Sequence, residues 1–188
     1  MAAVITIVGP IGSGKTLQAE MAAQALGWQT FSTGQLLRDH VGESHADPEV
    51  AAALRTGKLA SSQYVQQLVL SKIAEIGNDT GIVLDGSPRK LEEAQRYDQE
   101  FPGLGRKMDL VIFLNTGRNE VEQRLAKRGR HDDHPDTIKV RWAEYERDTV
   151  PMINYYRDHG LVVDIDGHGN PEEVHNRIIE VLRGKDLA

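Results

Sequence analysis

An apolar run, a glycine-rich loop and a lysine opening a helical pattern stand together near the start of the chain: VITIVGPIGSGKTLQAE, Val4 to Glu20. Gly9, four intervening residues, Gly14, Lys15 and Thr16 match G-x-x-x-x-G-K-[ST], between a predicted strand and a predicted helix. No other feature limits the fold so tightly. The glycines let the loop curl until successive backbone N–H groups point inward. The helix behind adds its positive N-terminal end and Lys15 adds an ammonium, so the loop is a site for polyphosphate. The dinucleotide fingerprint G-x-G-x-x-G is not written here, and hydride transfer loses support accordingly.

The rest of the chain repeats the strand-then-helix rhythm. Short apolar runs recur as VITIV from Val4, GIVLD from Gly81, DLVIFLN from Asp109 and GLVVDID from Gly160, with WQTFS at Trp28 as a weaker fifth. Unbroken Val, Ile and Leu runs suit strands buried on both faces of a parallel sheet. Helical spacing predicts helices over 16–26, 61–76, 90–100, 119–128, 136–157 and 171–183. The last has Asn170 as N-cap, Pro171 at its first position and Glu172 and Glu173 in its first turn. This alternation predicts an α/β sandwich of three layers around a five-stranded parallel sheet. Residues 33–60 are more helical and more polar and interrupt the strand rhythm, so they read as an insertion over the ligand edge of the sheet.

At 188 residues the chain suits one domain with a sizeable core, and its formal net charge of -6 argues against a nucleic-acid polymer or an anionic membrane as main partner. Any bound anion must be caught by a local cluster. Without cysteine there are no disulfides and no cysteine-ligated zinc. The first residues lack a basic leader and no apolar stretch is long enough to cross a bilayer, so a cytoplasmic location is the expectation.

A triphosphate also needs a metal, and Asp85 at the end of GIVLD is placed to hold Mg²⁺ through its water shell. Phosphoryl transfer asks further for positive charge where the moving phosphoryl oxygens collect negative charge. Arg38 in STGQLLR, Arg89 in DGSPR, Arg124, Arg128 and Arg130 in RLAKRGR, and Arg141 are the candidates.

These segments resemble the adenylate kinase family of nucleoside monophosphate kinases, a P-loop fold with a helical monophosphate-binding insertion and a lid. GPIGSGK is similar to its phosphate loop, STGQLLR and GKLASSQ to its monophosphate-binding segment, and VLDGSPR to its LLDGFPR. RLAKRGRHDDHPDTIKVR resembles its lid and arginine helix, YERDTVPMINYY its YxxxTxPxxxYY, and IDGHGNPEEV its loop near the ATP adenine. The segments come in family order and span nearly the whole chain.

Carried over by position, the resemblance implies that Gly12, Ser13, Gly14, Lys15, Thr16 and Leu17 surround the ATP phosphates, with Arg128 on ATP and Gly169 near its adenine. It implies that Thr33, Arg38, Lys58, Leu59 and Ala60 line the monophosphate pocket, joined by Gly86, Ser87, Pro88, Arg89 and Glu93. Arg130 and Arg141 would grip phosphates at the transfer point, where Lys15, Arg89 and Arg124 complete the catalytic set. The insertion spans about 32–61 and the lid about 128–134, the abbreviated form that carries no zinc site. His131, Asp132, Asp133 and His134 read as a lid hinge with polar contacts rather than a metal site.

Where this chain departs from the pattern, substrate choice is affected. The hydroxyl of Thr16 directly follows Lys15, where other phosphate loops put their Mg²⁺ ligand. Gln35 stands for an aspartate, Ser87 for an aromatic residue and Glu93 for the glutamine that reads AMP. An ionised carboxylate accepts from an exocyclic amine but cannot donate. The expectation is a monomeric, Mg²⁺-dependent kinase moving the γ-phosphoryl of ATP to AMP. The alternatives left open are a kinase for CMP, UMP or dAMP, or a nucleotide-binding regulator without transfer.

Overall fold

The computed structural model describes residues 2–41, 52, 56, 62–128 and 134–188. Five strands alternate with helices: β1 Val4–Val8, α1 Lys15–Leu26, β2 Gln29–Ser32, α2 Thr33–Val41, α3 Ser62–Glu75, β3 Ile82–Asp85, α4 Leu91–Glu100, β4 Met108–Asn115, α5 Arg118–Arg128, α6 Pro135–Glu144, α7 Val150–Asp158, β5 Val162–Asp166 and α8 Pro171–Gly184. A 3₁₀ turn, Phe101–Leu104, follows α4, and a π-helical turn, Tyr145–Thr149, joins α6 to α7. All pairings are parallel, in the order β2-β3-β1-β4-β5.

Both faces of β1 are buried, as its unbroken apolar run requires. Val4 and Val8 face a core shared with Val65, Val69 and Ile73 of α3, Ala94 and Tyr97 of α4, and Met152 and Tyr156 of α7. Ile5 and Ile7 face Ala19, Ala22 and Ala23 of α1 and Val174, Ile178 and Leu182 of α8. Small alanines let α1 approach the sheet closely, while the longer side chains of α8 fill the opposite half of that layer. Each fully buried Val, Leu or Ile contributes about 1.5–3 kcal/mol, so the two cores hold the three layers together. Asn170 accepts from Glu173 N–H while the Glu173 side chain returns to Asn170 N–H, the expected start of α8 completed as a capping box.

The expected helix over 136–157 is interrupted by the π turn, in which Val150 N–H reaches Tyr145 O. Pro151 is the physical reason: it has no N–H to donate and its ring crowds the carbonyl four residues back, so the ladder loosens just ahead of it. Of the expected insertion, α2 is described and 42–51, 53–55 and 57–61 lie outside the described residues, as do 129–133 of the expected lid.

Register brings the site together. Ile7 and Ser32 both pair with Asp85, Val8 pairs with Phe113, and Asn115 pairs with Asp166, so the C-terminal ends of all five strands open on one edge. In parallel sheets ligands bind at that edge.

Candidate active site

The loop after β1 curls as its glycines predict. Gly12 has φ +76°, and a Cβ there would stand 2.9 Å from Leu125 and 3.2 Å from Val121, so α5 packs directly on the loop. Ser13 N–H donates to Pro10 O, and Lys15 folds back to donate to the same carbonyl at 3.3 Å. Lys15 lies at the start of α1, partly buried, while Leu17 is 45% exposed on the outer side of that helix.

Beside the loop, the end of β3 brings in Asp85, which accepts from the Thr16 hydroxyl through Oδ2 at 2.7 Å. Its Oδ1 is buried with no hydrogen-bond partner among the described residues. A buried carboxylate oxygen left unpaired costs about 1–3 kcal/mol unless something positive meets it. That orphan, with a hydroxyl alongside, is an oxygen donor set suited to a hard cation or its water shell. Gly86 follows at φ +64°, and a Cβ there would lie 3.3 Å from both Lys15 Cε and Arg89 Nη2. The lysine of the loop and the arginine of DGSPR therefore meet over one glycine.

Arg89 Nε donates to Gly86 O at 2.7 Å, which fixes the guanidinium toward the loop. Burial pulls its pKa below the usual arginine value; Asp85 and Glu93 oppose that, and the cations of Arg141 and Arg38 add to it. Arg141, from α6, and Arg38, from α2, are thus both within electrostatic reach of Arg89. Arg38 also donates to Gln35 Oε1 at 2.8 Å, and Gln35 in turn donates to Asp39, so Gln35 organises this helix face without a charge of its own. Thr33 is 3% exposed with its hydroxyl unpartnered among the described residues.

Three expected residues are placed differently from the carried-over pattern. The resemblance groups Arg124 with the transfer arginines, yet its guanidinium is committed elsewhere: Nη1 donates to Ser13 O at 2.9 Å, Nη2 to Gly167 O at 2.8 Å and Gly169 O at 3.3 Å, and Nε to Glu120 at 2.8 Å. It ties the phosphate loop to the β5–α8 loop. Glu93 is 2% exposed, and its Oε2 accepts the Arg89 backbone N–H at 2.7 Å, so this carboxylate supports the arginine loop from behind. Ser87, which stands for an aromatic residue of the pattern, shares a 2.7 Å hydrogen bond with the Tyr97 hydroxyl, and Tyr97 stacks on Phe101. Pro88, beside it, is buried.

Lys58, Leu59, Ala60, Arg130 and the Arg128 side chain lie outside the described residues, as do His131, Asp132 and Asp133. Sequence reading missed Tyr97, Arg177 and the Asp166–His168 pair, in which Asp166 accepts from both His168 N–H and Nδ1. Those hydrogen bonds hold the Asp166 carboxyl below the usual range. An arginine two turns into a helix gives no sequence signal, since solvated arginines look the same. Among the described residues no group of three His, Asp or Glu is placed to hold a metal by itself, and no helix is long and apolar enough to cross a membrane.

Known proteins are similar to this chain over nearly its whole length. The adenylate kinase of Leifsonia xyli subsp. xyli is 36% identical over 186 residues, covering 96% of this chain and 94% of its own length. That of Thermobifida fusca is 34% identical over 186 residues, covering 96% and 98%. That of Thermus thermophilus is 32% identical over 183 residues, covering 95% and 96%. The sequence profile described as adenylate kinase matches residues 7–161, and with the phosphate loop, the Asp85–Thr16 pair and the arginines gathered on one edge of the sheet, this chain belongs to the adenylate kinase family.

Proposed function

We propose that this chain transfers the γ-phosphoryl group of ATP reversibly to AMP, giving two ADP. The observation that carries the reading is the convergence of Lys15 and Arg89 over Gly86, with Asp85 and Thr16 paired beside them and the cations of Arg38 and Arg141 within electrostatic reach of Arg89. An oxygen of the acceptor phosphate attacks the γ-phosphorus in line. The bond from that phosphorus to the β–γ bridging oxygen breaks, and ADP leaves with the electron pair. The attacking oxygen is already an anion, so no general base is needed. Catalysis is then positioning plus charge: Lys15 and the arginines neutralise the phosphoryl oxygens in a site closed from water.

Gly12, Gly14 and Thr16 give backbone N–H groups to the donor phosphates, with Ser13, Leu17, Arg128 and Gly169 on the donor side. Thr33, Arg38, Lys58, Leu59, Ala60 and the Gly86–Arg89 turn form the acceptor side, and Arg130 and Arg141 span the gap. Thr16 and Asp85 would hold Mg²⁺, Asp85 through water, and the ion would screen charge between donor phosphates. The segment 32–61 acts as the acceptor-binding insertion and 128–134 as a short lid. The protein would act as a monomer on free nucleotides in the cytoplasm, and its net charge of -6 disfavours a nucleic-acid polymer or anionic membrane as partner.

Mg-ATP offered with AMP, CMP, UMP and dAMP in turn should give diphosphate fastest with AMP; no turnover with any of them defeats the reading. Lys15→Met should keep the fold and lose about three orders of magnitude in kcat, or about 4 kcal/mol. A near-normal rate would remove the loop from the chemistry.

A further inference from the structure

The loop between β5 and α8 is held in an unusual way. Four successive carbonyl oxygens, those of residues 166 to 169, each accept from a guanidinium. Arg177, on α8, donates from Nη1 to Asp166 O at 2.8 Å and His168 O at 2.6 Å. Arg124, on α5, takes the intervening pair, Gly167 O and Gly169 O. The carbonyls therefore alternate between two flanking arginines. Gly167 N–H donates to Asn115 O, and the Asp166–His168 bonds and the α8 capping box close the two ends of the loop. Arg124 carries the restraint onward, because its other nitrogen holds Ser13 O of the phosphate loop. In each arginine one terminal nitrogen spends its two N–H groups on its pair of carbonyls, and in Arg124 this leaves the rest of the guanidinium for Ser13 O and Glu120.

We propose that Arg177 is a positioning residue for the donor nucleotide: with Arg124 it presets the 166–169 loop against the phosphate loop before ATP arrives. This rests on the reading of the phosphate loop as the ATP side. A loop set during folding need not be ordered at binding, so its restraint appears as affinity for one nucleotide. Arg177 touches no reacting atom. Its loss acts on ATP binding and leaves the chemical step alone, because Lys15, Arg89 and Arg141 lie on other elements.

The test measures Mg-ATP binding by calorimetry without acceptor, then initial rates with both substrates varied. Arg177→Met should weaken ATP binding and raise the KM for ATP about tenfold, with kcat and the KM for AMP within about twofold of the parent. Arg177→Lys, which keeps one donor point, should fall between. Arg183→Met removes the same charge from the same helix six residues further on and should leave ATP binding unchanged. Equal ATP affinity in Arg177→Met and parent overturns the proposal, and so does a parallel rise in both Michaelis constants with a lowered Tm, which marks general loosening. A parent that binds no ATP would instead bring down the donor-site reading itself.

Discussion

Glu93 holds a carboxylate at 2% exposure against the backbone N–H of Arg89. Burial raises its pKa above the ordinary value of 4.5, opposed by that N–H bond and by the Arg89 cation. The folded state thus binds its proton more tightly than the unfolded chain. The stability this gives is fully present below about pH 4.5 and is lost as pH rises through the folded pKa. Glutamine keeps an oxygen for the Arg89 N–H and carries no charge to desolvate. Glu93→Gln should therefore melt about 2–4 °C above the parent at pH 7, on the order of 1 kcal/mol for a chain of this size, and the two curves should meet below pH 4.5. A gap that ignores pH would mean the carboxylate is not destabilised by burial. The sequence marked Glu93 as the departure that matters but could not say where it pointed, because a helix position fixes a face and not a hydrogen-bond partner. Ser87 was legible only as a loss for the same reason: the compensating hydroxyl comes from Tyr97, ten residues on.

At the scale of elements, the strands were legible because β1, β3 and most of β4 are buried on both faces and their apolar runs are uninterrupted. β2 was the weakest reading, and QTFS is only partly buried at the sheet edge. The phosphate loop, Asp85 and Arg89 could be read because each sits within a few residues of a strand end, whereas contacts made across the fold, such as those of Arg106, leave no local pattern. Arg106 is 4% exposed at the opposite edge of the sheet, donating to Ala2 O, Thr80 O, Ile76 O and Gly77 O. It closes the C-terminal end of α3 against the starts of β1 and β3. Burial lowers its pKa, with Asp109 opposing, but an arginine stays charged; the four carbonyls take its two terminal nitrogens, while its buried Nε has no hydrogen-bond partner among the described residues. Arg106→Met keeps most of the stem and strips those bonds, which should cost about 2–4 kcal/mol and lower Tm by about 5–10 °C. Activity per folded molecule should not change, since the active edge lies at the other end of every strand. A fall in kcat at a temperature where the variant is fully folded would contradict that separation.

The order β2-β3-β1-β4-β5 divides the whole molecule's binding edge in two. With β1 and its phosphate loop in the centre, β3 and β2 deliver Asp85, Arg89, Thr33 and Arg38 to one side, and β4 and β5 deliver the 115–117 and 166–169 segments to the other. Two nucleotides meeting end to end at Lys15 would each answer to one side. Kinetic constants should then follow strand order. Thr33 is the cleanest probe, because it is 3% exposed and its hydroxyl is buried and unpartnered among the described residues. Thr33→Val removes that hydroxyl at constant shape, so Tm should hold or rise slightly, while the KM for AMP should increase about threefold to tenfold, the worth of one neutral hydrogen bond. Arg38→Met removes a charged donor and should raise the same constant about tenfold to hundredfold, less if Gln35 holds the guanidinium away from the acceptor phosphate. In both variants the KM for ATP should stay within about twofold of the parent, measured from initial rates over a grid of the two substrates. A Thr33→Val enzyme in which the two constants rise together would show that the strands do not partition the nucleotides, and that β1 is not the boundary between them.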